Sequence, residues 1–414
     1  MPPCPVVIIG AGLAGLSCAL RLQERRIECV VLEASDAPGG RVRTDLIDGF
    51  RLDRGFQVLL TAYPRTQHVI DYGTLKLRRF LPGALIRFRG RFHTVADPVR
   101  HPASALPTLL AQVGTLGDKW RVLRLRDRVC GPPLQEVLER PETSTLVELK
   151  KMGFSARFIA GFFKPFLAGI FLETQLTTSS RKFEFVFRMF SLGHAALPEF
   201  GMQAIPEQMA LRLRPDMLRL NSRVKQVDGA TVYPAAGDPI TAQQVVIATE
   251  HTEALRLLGQ NANDPSASVT CMYFAASASP VAGPWLVLNG EESGPINNLC
   301  VPSQVQNSYA GPEGNSLISV TILDPLYQER PDLEEAVRSQ LAEWYGDAVL
   351  NWRHLRTYRI PNAIPLQEAP LLTPVHKPVK LGERLFICGD HTGIASIEGA
   401  IASGIRAADA LSGQ

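Results

Sequence analysis

The sequence predicts a doubly wound α/β domain with a second, α+β domain inserted into it. Residues 6–9 form a short apolar run that is followed by a glycine-rich turn, a helical pattern and a second apolar run, which together describe a compact βαβ unit. Strand-like apolar segments return at 243–248 and 384–388, and the stretch from 76 to 200 is instead rich in Arg, Phe, Leu and Pro. One sheet assembled from separated segments explains these three observations.

The composition is that of a globular protein with roughly two or three domains. The chain has 414 residues, of which 45% are hydrophobic and 20% are charged, as is usual for globular proteins. Its 43 Lys and Arg residues nearly balance its 40 Asp and Glu residues, so charge gives no reason to expect a nucleic-acid partner. The seven cysteines include no CxxC pair and the histidines show no HxxxH spacing; we therefore expect reduced thiols and no metal centre.

The remaining elements follow from local patterns along the chain. Proline breaks divide the region up to residue 200 into segments that we interpret mainly as helices. Strands are predicted at 221–227, 243–248, 269–275, 285–289, 317–323 and 384–388, and helices at 13–23, 333–345 and 397–411. The predicted domain assignment gives 1–75, 200–268 and 376–414 to the α/β domain, and 76–199 and 269–375 to the inserted substrate domain.

Membrane and secretory signals are weak. The most apolar run, 157–171, is interrupted by Lys164 and Pro165 and is shorter than the ~20 residues that a spanning helix needs. The N-terminal apolar run has no basic leader, so we expect a cytoplasmic protein that is not secreted. Residues 119–126 mix Lys and Arg with Trp and Leu. This pattern fits either a helix on a membrane surface or a solvated helix that packs its apolar face inward.

The strongest motif is the glycine turn after the first strand. Gly10, Gly12 and Gly15 form a GxGxxG pattern between a predicted strand and a predicted helix, which is the fingerprint of Rossmann-like dinucleotide-binding domains. The first glycine allows the tight turn, the second allows a pyrophosphate to approach the backbone, and the third lets the helix pack on the strand. Glu33, at the end of the second strand, is expected to bind a ribose hydroxyl. We assign Leu13, Ala14 and Ala34 to the same site.

Two further segments narrow the choice of cofactor. Pro38-Gly39-Gly40-Arg41 is followed by Asp53-Arg54-Gly55-Phe56-Gln57, and the first segment offers backbone amides and a guanidinium for a diphosphate. In this order the segments resemble the FAD-binding region of the flavin amine oxidase and phytoene desaturase superfamily. The resemblance implies that FAD is bound non-covalently, with contacts from Gly40, Arg41, Gly55, Phe56 and Gln57.

The rest of the chain extends the resemblance. Residues 198–206 are similar to the family's P-x-G-G-M element, with Phe200 in place of the first glycine. In the family, the strand that matches residues 221–224, which include Val224, contacts the adenine of FAD through its backbone. The strand end that matches Ala248 lies beside the cofactor, and the aspartate that matches Asp390 binds the ribityl or pyrophosphate part. A helix N-cap is the alternative role for Asp390. The resemblance also assigns Gly389, Ser396 and Ile397 to the FAD site.

The last helix indicates a branch of the superfamily. Amine oxidases of this family usually carry an aromatic residue of their substrate cage where this chain has Ser396. The stretch 395–400, ASIEGA, instead resembles the ASMEGA of plant-type phytoene and zeta-carotene desaturases. Residues 163–172 look like that group's tunnel-lining helix, although a buried helix of the inserted domain explains them equally well.

The resemblance therefore implies an FAD-dependent oxidoreductase that desaturates or isomerises a hydrophobic polyene or isoprenoid, with hydride transfer to flavin N5. No catalytic residue is assigned; Glu398 is either a proton acceptor or a first-turn carboxylate that favours the helix dipole. No second glycine fingerprint is visible, so we expect a quinone or oxygen as electron acceptor. A flavin amine oxidase or protoporphyrinogen-type oxidase that uses oxygen, and a non-catalytic flavin-binding protein, remain the alternatives.

Overall fold

Two large sheets organise the molecule. The computed structural model describes residues 4–261 and 266–413. The first sheet has a parallel core whose neighbours come from distant parts of the chain. In spatial order, its parallel strands are Leu218–Arg219, Cys29–Leu32, Cys4–Ile9, Ile240–Ile247 and Leu385–Ile387, and an antiparallel extension adds Thr231–Pro234 and Val224–Asp228.

Both faces of the first sheet are covered. On strand Cys4–Ile9 the side chains of Val6 and Ile8 belong to one apolar cluster, and those of Val7 and Ile9 to another. This alternation buries both faces, as is usual for parallel sheets. The first helix, Leu13–Glu24, lies against the C-terminal helix, Ile397–Leu411, so closely that a Cβ on Gly404 would lie 2.1 Å from the carbonyl oxygen of Ala14.

The second sheet is mainly antiparallel and belongs to the other part of the molecule. The helix Leu333–Tyr345 packs on it through an apolar cluster that includes Phe274, Leu341 and Trp344. The strands predicted at 269–275, 285–289 and 317–323 all lie in this sheet. In spatial order its strands are Arg353–Pro365, Ser266–Ala276, Ser316–Ile322, Ile296–Cys300, Leu286–Asn289, Gly83–Phe88 and Arg91–Ala96.

The interpretation of 76–200 as mainly helical was wrong for its first twenty residues. A β-hairpin, Gly83–Phe88 and Arg91–Ala96, occupies this region and supplies two strands to the second sheet. Its turn residues Arg89 and Gly90 both have positive φ, 53° and 72°, as a tight hairpin turn requires. This turn was not predicted because the region was interpreted as helices separated by proline breaks.

The helical part of the prediction is correct from residue 105 onward. A π-helical turn, Ile159–Phe163, interrupts the apolar run 157–171 just before Pro165. No helix within the described residues is long and apolar enough to cross a membrane. The helices of this layer are Ala105–Leu110, Leu116–Cys130, Leu134–Glu139, Thr145–Lys151, Ala156–Phe158, Lys164–Phe171 and Ser180–Leu192.

Short elements complete the chain. The remaining strands are Thr44–Ile47 with Phe50–Asp53, and Leu59–Leu60 with Ala195–Leu197 and Arg78–Arg79. The remaining α-helices are Thr66–Val69, Ala204–Ala210, His251–Leu257, Pro302–Val305 and Pro325–Gln328. Turns of 3-10 helix lie at Pro102–Ser104, Asn307–Tyr309, Pro312–Gly314, Asp347–Asn351 and Asp390–Thr392.

The domain limits stay a prediction. Strands of the first sheet lie in the segments 1–75, 200–268 and 376–414, and strand Ser266–Ala276 of the second sheet crosses the predicted limit at 268. Residues 1–3, 262–265 and 414 of the predicted segments lie outside the described residues.

Candidate active site

The three glycines of the fingerprint occupy three different environments. Gly10 has a φ of +106°, and a Cβ on Gly15 would lie only 2.0 Å from the carbonyl oxygen of Gly10. A Cβ on Gly12 would meet nothing within 4 Å. Leu13 and Ala14, both buried, begin the first helix. Gly10 and Gly15 are therefore fixed by the fold, and Gly12 leaves open the space that a pyrophosphate needs beside the helix N-terminus.

Glu33 connects the glycine turn to the second strand. Its carboxylate is buried, and one oxygen accepts a hydrogen bond from the Ala11 amide at 2.7 Å. The other oxygen accepts bonds from the amide and the hydroxyl of Ser35 at 2.9 and 2.7 Å. The carboxylate thus lies directly beside the glycine turn, where a ribose of a bound dinucleotide is expected.

The segment predicted to contact the adenine lies next to Glu33. The amide of Ser222 donates to the Glu33 carbonyl oxygen at 2.7 Å. Val224 is buried and begins the strand that follows. Ala34, by contrast, is exposed. The structure thus brings Ser222 and Val224 to the end of the second strand, and their role towards the adenine stays a prediction.

Arg41 and Asp390 form an ion pair across the site. Their side chains meet at 2.7 Å, although 349 residues separate them in the sequence. Arg41 also donates to the carbonyl oxygen of Ala363 at 2.8 Å. Burial alone would raise the pKa of the Asp390 carboxyl, but the Arg41 guanidinium outweighs it and lowers the pKa below its ordinary value. Asp390 therefore stays ionised, and a guanidinium is held where the resemblance places the FAD diphosphate.

The second predicted segment approaches Arg41 from the other side. The Gln57 side chain donates to the Arg41 carbonyl oxygen at 2.9 Å. Gly55 has a φ of +88° and is buried. The ring of Phe56 is half-buried and meets the ring of Phe80 edge-on at 6.2 Å.

Gly40, in the first segment, lies beside the glycine turn. It has a positive φ, and a Cβ on it would stand 3.6 Å from the Gly12 Cα.

The carboxyl end of the site is built by the last strand and the last helix. The amide of Gly389 donates to the Ser403 hydroxyl at 2.9 Å. Ser396 caps the C-terminal helix, because its hydroxyl accepts from the Gly399 amide at 3.0 Å, and Ile397 is the first helical residue. The N-cap of this helix is therefore Ser396, and the alternative role of Asp390 as its cap is wrong.

Glu398 lies in the first turn of the C-terminal helix, as one of the two roles considered for it requires, and its carboxylate also connects two helices. Its buried carboxylate accepts hydrogen bonds from the amides of Arg65 and Thr66 at 2.8 and 2.9 Å, and from the Thr66 hydroxyl at 2.8 Å. It therefore fastens the start of the short helix Thr66–Val69 to the C-terminal helix. A carboxylate engaged in this way is not poised to accept a substrate proton.

Unsatisfied polar atoms mark the space between these loops. Among the described residues, the Thr249 hydroxyl and both ring nitrogens of His391 are buried without a hydrogen-bond partner. Thr249 follows Ala248, which lies against Gly10, and burial lowers the pKa of His391 to about 4. Buried polar groups are rarely left unpaired. These atoms and the open position at Gly12 therefore fit a large polar ligand such as FAD.

The contacts of the Asp53 carboxylate were not predicted from the sequence. One carboxylate oxygen accepts from the Met202 amide at 2.9 Å and from the Thr44 hydroxyl at 2.5 Å. The other accepts from the Tyr309 hydroxyl at 2.8 Å. Burial raises the pKa of Asp53 to about 6. The residue joins the second FAD-binding segment to residues 198–206, and no local pattern announces partners that lie so far along the chain.

No metal cluster accompanies this site. In the parts of the chain that the structure describes, no group of three or more His, Cys, Asp or Glu side chains could hold a metal ion. Among the described residues, Cys18, Cys130, Cys271, Cys300 and Cys388 are free thiols.

Comparisons with known proteins agree with this geometry. Residues 13–412 match the family described as flavin containing amine oxidoreductase. Hydroxyneurosporene desaturase of Rubrivivax gelatinosus is 26% identical over 330 residues, which cover 70% of this chain and 61% of that protein. Polyamine oxidase 2 of Arabidopsis thaliana is 46% identical over 50 residues, 12% of this chain and 10% of that protein. The chain thus spans less than two thirds of the length of these curated relatives.

The fold is also that of known structures. A putative protoporphyrinogen oxidase from Exiguobacterium sp. 255-15 superposes with a TM-score of 0.74 at 18% identity, over 100% of both chains. At this identity the likeness establishes the fold. The family match extends over nearly the whole chain and includes most of the residues that build the site. The protein therefore belongs to the flavin-containing amine oxidoreductase family, and its cofactor is FAD.

Proposed function

We propose that this enzyme desaturates or isomerises a hydrophobic polyene or other isoprenoid. The observation that carries the proposal is a row of phenylalanine rings in the helical layer. Ring contacts run from Phe154 through Phe158, Phe162 and Phe166 to Phe190, with centroid separations of 5.8, 5.1, 5.5 and 5.2 Å. The last three rings are only half-buried. An elongated apolar substrate can therefore lie along them.

The backbone supports a binding role for this row. Phe162 lies in the π-helical turn Ile159–Phe163, and Phe166 lies in the helix that follows. Turns of this type are uncommon within helices and occur frequently at functional sites. The rings of Phe162 and Phe166 stack almost parallel, 8° apart.

The residues of this chain have two tasks in such a reaction. FAD, when bound, supplies the two-electron acceptor. Removal of two hydrogens from a hydrocarbon needs little acid–base assistance, so the protein has to orient the substrate and exclude water. It also has to hold the cofactor, and the groups that fit this task are the Gly10–Gly15 turn, Glu33, Arg41 with Asp390, and the start of the helix at Ser396 and Ile397.

Two findings favour a polyene over an amine. The match to hydroxyneurosporene desaturase covers 70% of this chain, whereas the match to polyamine oxidase 2 covers 12%. Ser396, which replaces the usual aromatic residue of the amine cage, has a structural task as helix cap.

The test is anaerobic reduction of the purified holoenzyme. Phytoene or zeta-carotene, delivered in detergent micelles, should remove the absorbance band of oxidised flavin, and putrescine or cyclohexylamine should not. FAD should be released intact when the protein is denatured, because we expect non-covalent binding. Reduction by amines but not by polyenes would contradict the proposal.

The alternative is an amine oxidase or a protoporphyrinogen-type oxidase that uses oxygen. The full-length superposition on a putative protoporphyrinogen oxidase keeps this alternative open. It predicts hydrogen peroxide when the substrate and oxygen are both present. Desaturation with a quinone as acceptor predicts turnover under anaerobic conditions, without peroxide.

We also propose that the enzyme works in the cytoplasm, bound to a membrane surface through one apolar patch. The helix Ala105–Leu110 has no buried residue, and the neighbouring helix Leu116–Cys130 is attached to it by the Lys119 ammonium, which bonds the carbonyl oxygens of Leu109 and Ala111. An exposed patch of this composition favours a lipid interface. The apolar patch consists of Val99, Leu106, Leu109, Leu110, Leu116, Trp120 and Leu123.

The basic residues beside the apolar patch favour anionic lipid. Arg124 stacks over the Trp120 ring at 4.8 Å. Arg121 forms an ion pair with Asp118 at 3.7 Å, and Arg126 forms one with Asp97 at 3.5 Å. The apolar side chains therefore carry most of the proposed binding, and the arginines add a preference for negative headgroups.

Liposome co-sedimentation tests this surface. The double variant Leu109→Ser/Leu110→Ser should lose binding to vesicles of phosphatidylglycerol and phosphatidylcholine, because it removes two of the exposed leucines. Neutralising Arg121, Arg124 and Arg126 should weaken binding to these anionic vesicles. Leu211→Ser is the matched control, since Leu211 is 86% exposed and does not belong to the patch. Equal binding by wild type and the double variant, with the flavin spectrum intact, would refute the docking proposal.

A further inference from the structure

Lys182 is a buried lysine that forms no ion pair with any of the described residues. Its side chain is 1% exposed, and within residues 4–261 and 266–413 it makes no hydrogen bond or ion pair. Its ammonium lies 5.3 Å from the centre of the Phe171 ring. A buried charge that is not paired costs free energy. Burial accordingly lowers the pKa of Lys182 to about 8, so most of the side chains remain charged at neutral pH.

The carboxylates that act on Lys182 are engaged elsewhere. Asp390 and Glu173 both favour its charged form. Asp390 is bound to the Arg41 guanidinium at 2.7 Å. Glu173 accepts hydrogen bonds from the backbone amides of Gln175 and Thr178 at 2.8 and 3.2 Å. The protein thus supplies a distant negative field at Lys182 but no contact.

Lys182 is held close to the cofactor-binding loops. The residue before its helix, Ser179, donates its amide to the Gln367 carbonyl oxygen at 2.8 Å. The Gln367 side chain in turn donates to the Gly393 carbonyl oxygen at 2.6 Å and accepts from the Ala395 amide at 2.9 Å. The start of this helix is therefore fastened to the loop between Asp390 and the C-terminal helix.

We propose that Lys182 is a substrate-recognition residue whose ammonium binds a carboxylate on an otherwise apolar substrate. This deepens the proposed function, on which it rests, because it names the substrate class as an isoprenoid or polyene acid. The phenylalanine row holds the hydrocarbon part, and Phe171, whose ring lies beside the Lys182 ammonium, is on the same helix as Phe166 of that row. In water-excluded surroundings a carboxylate gains more from an ammonium than it does in water. The other source of negative oxygen beside these loops is FAD itself.

The experiment compares an acid with its neutral ester on the oxidised holoenzyme, without turnover. Farnesoic acid and methyl farnesoate share the same hydrocarbon chain, and binding is measured by calorimetry and by the change in the flavin absorbance spectrum. Wild type should bind the acid about tenfold or more tightly than the ester. In Lys182→Met the affinity for the acid should fall to that for the ester, with FAD content and FAD affinity unchanged. Lys150→Met, at an exposed position, is the matched control.

The pH dependence supplies a second readout. The preference for the acid should disappear as the pH rises above about 8, where Lys182 loses its proton. Equal affinity of wild type for acid and ester would overturn the proposal. Loss of FAD affinity in Lys182→Met, with the preference for the acid retained, would overturn it in favour of the cofactor. Preferential binding of the acid by an enzyme that no polyene reduces would leave Lys182 as the recognition residue and reject only the desaturase proposal.

Discussion

Buried charged side chains at the cofactor end of the molecule have hydrogen-bond or ion-pair partners among the described residues, whereas one in the helical layer does not. At the cofactor end Glu33 and Asp53 are surrounded by donors, and Asp390 is paired with Arg41. In the helical layer, the helix Ser180–Leu192 contains both a paired and an unpaired buried charge. Glu184 is bound by Arg128 and Arg140, while Lys182, two residues earlier, has no partner among the described residues. The difference teaches that the carboxylates at the cofactor end are fixed by bonds within the fold, whereas the proposed role of Lys182 depends on a charge that the fold does not pair.

The largest expected effect is at the glycine turn. Gly15→Ala should destabilise the protein by about 3 kcal/mol or more, because the new Cβ would lie 2.0 Å from the Gly10 carbonyl oxygen and the backbone has to shift. Gly12→Ala is the matched variant, since its Cβ meets nothing in the protein. Its Tm should stay near that of wild type while its affinity for FAD falls. Denaturant unfolding and FAD titration measure both effects, and equal stability losses in the two variants would contradict this prediction.

The next effect concerns Lys182 and has a characteristic pH dependence. The pKa of Lys182 is lowered to about 8 in the folded protein, against about 10.4 in an unfolded chain. Between these values the unfolded state binds more protons, so the free energy of unfolding should rise with pH by an amount on the order of 3 kcal/mol. Lys182→Met should lack this rise and should be the more stable protein at pH 7.

Urea unfolding of both proteins between pH 7 and 10.5 checks this expectation. Other groups titrate in the same window, so the relevant quantity is the difference between wild type and variant. A difference that does not change with pH would mean that Lys182 is paired in solution. The contrast with Glu184 would then disappear.

The smallest expected effect is the difference in stability lost when a partly buried ion pair and an exposed ion pair are broken. Asp390→Asn should cost about 2 kcal/mol, since it removes the partner of the half-buried Arg41. Arg54→Gln should cost less than about 1 kcal/mol, because the pair of Arg54 with Asp45 lies near the surface. The Asp390 contribution is present above the ordinary carboxyl pKa of about 3.9 and should be lost as the pH falls below it, since Arg41 holds the folded-state pKa lower. Thermal unfolding at pH 7 and pH 3 tests both statements, and equal losses in the two variants would remove the distinction.

Much of the cofactor end could be predicted because its signals are local. The fingerprint at Gly10–Gly15 lies within six residues, and the helices Leu333–Tyr345 and Ile397–Leu411 begin and end where their periodicity predicts. The strand that precedes Gly389 and Asp390 was predicted because its apolar run is local, and their role in the FAD site stays a prediction. Each of these features depends on neighbours in the sequence, so a pattern within one window identifies it.

The rest of the site depends on contacts between distant residues. Asp53 meets Met202 and Tyr309 through a fold that no window of sequence contains. Lys182 looks like an ordinary polar residue on a helix, and only the packing around it shows that it is buried and unpaired. The hairpin around Arg89 and Gly90 was missed for another reason, since its alternating pattern is local but was outweighed by the helical interpretation of the region.

The contact between the first and last helices has a consequence for the order in which the protein can mature. Gly404 packs against Ala14, and the Ser17 hydroxyl donates to the Ile401 carbonyl oxygen at 3.0 Å. A chain emerging from the ribosome therefore presents its glycine motif long before the helix that covers it has been synthesised. Arg41 likewise cannot form its ion pair until Asp390 has been synthesised. Cofactor loading is thus expected to be one of the last steps of biosynthesis.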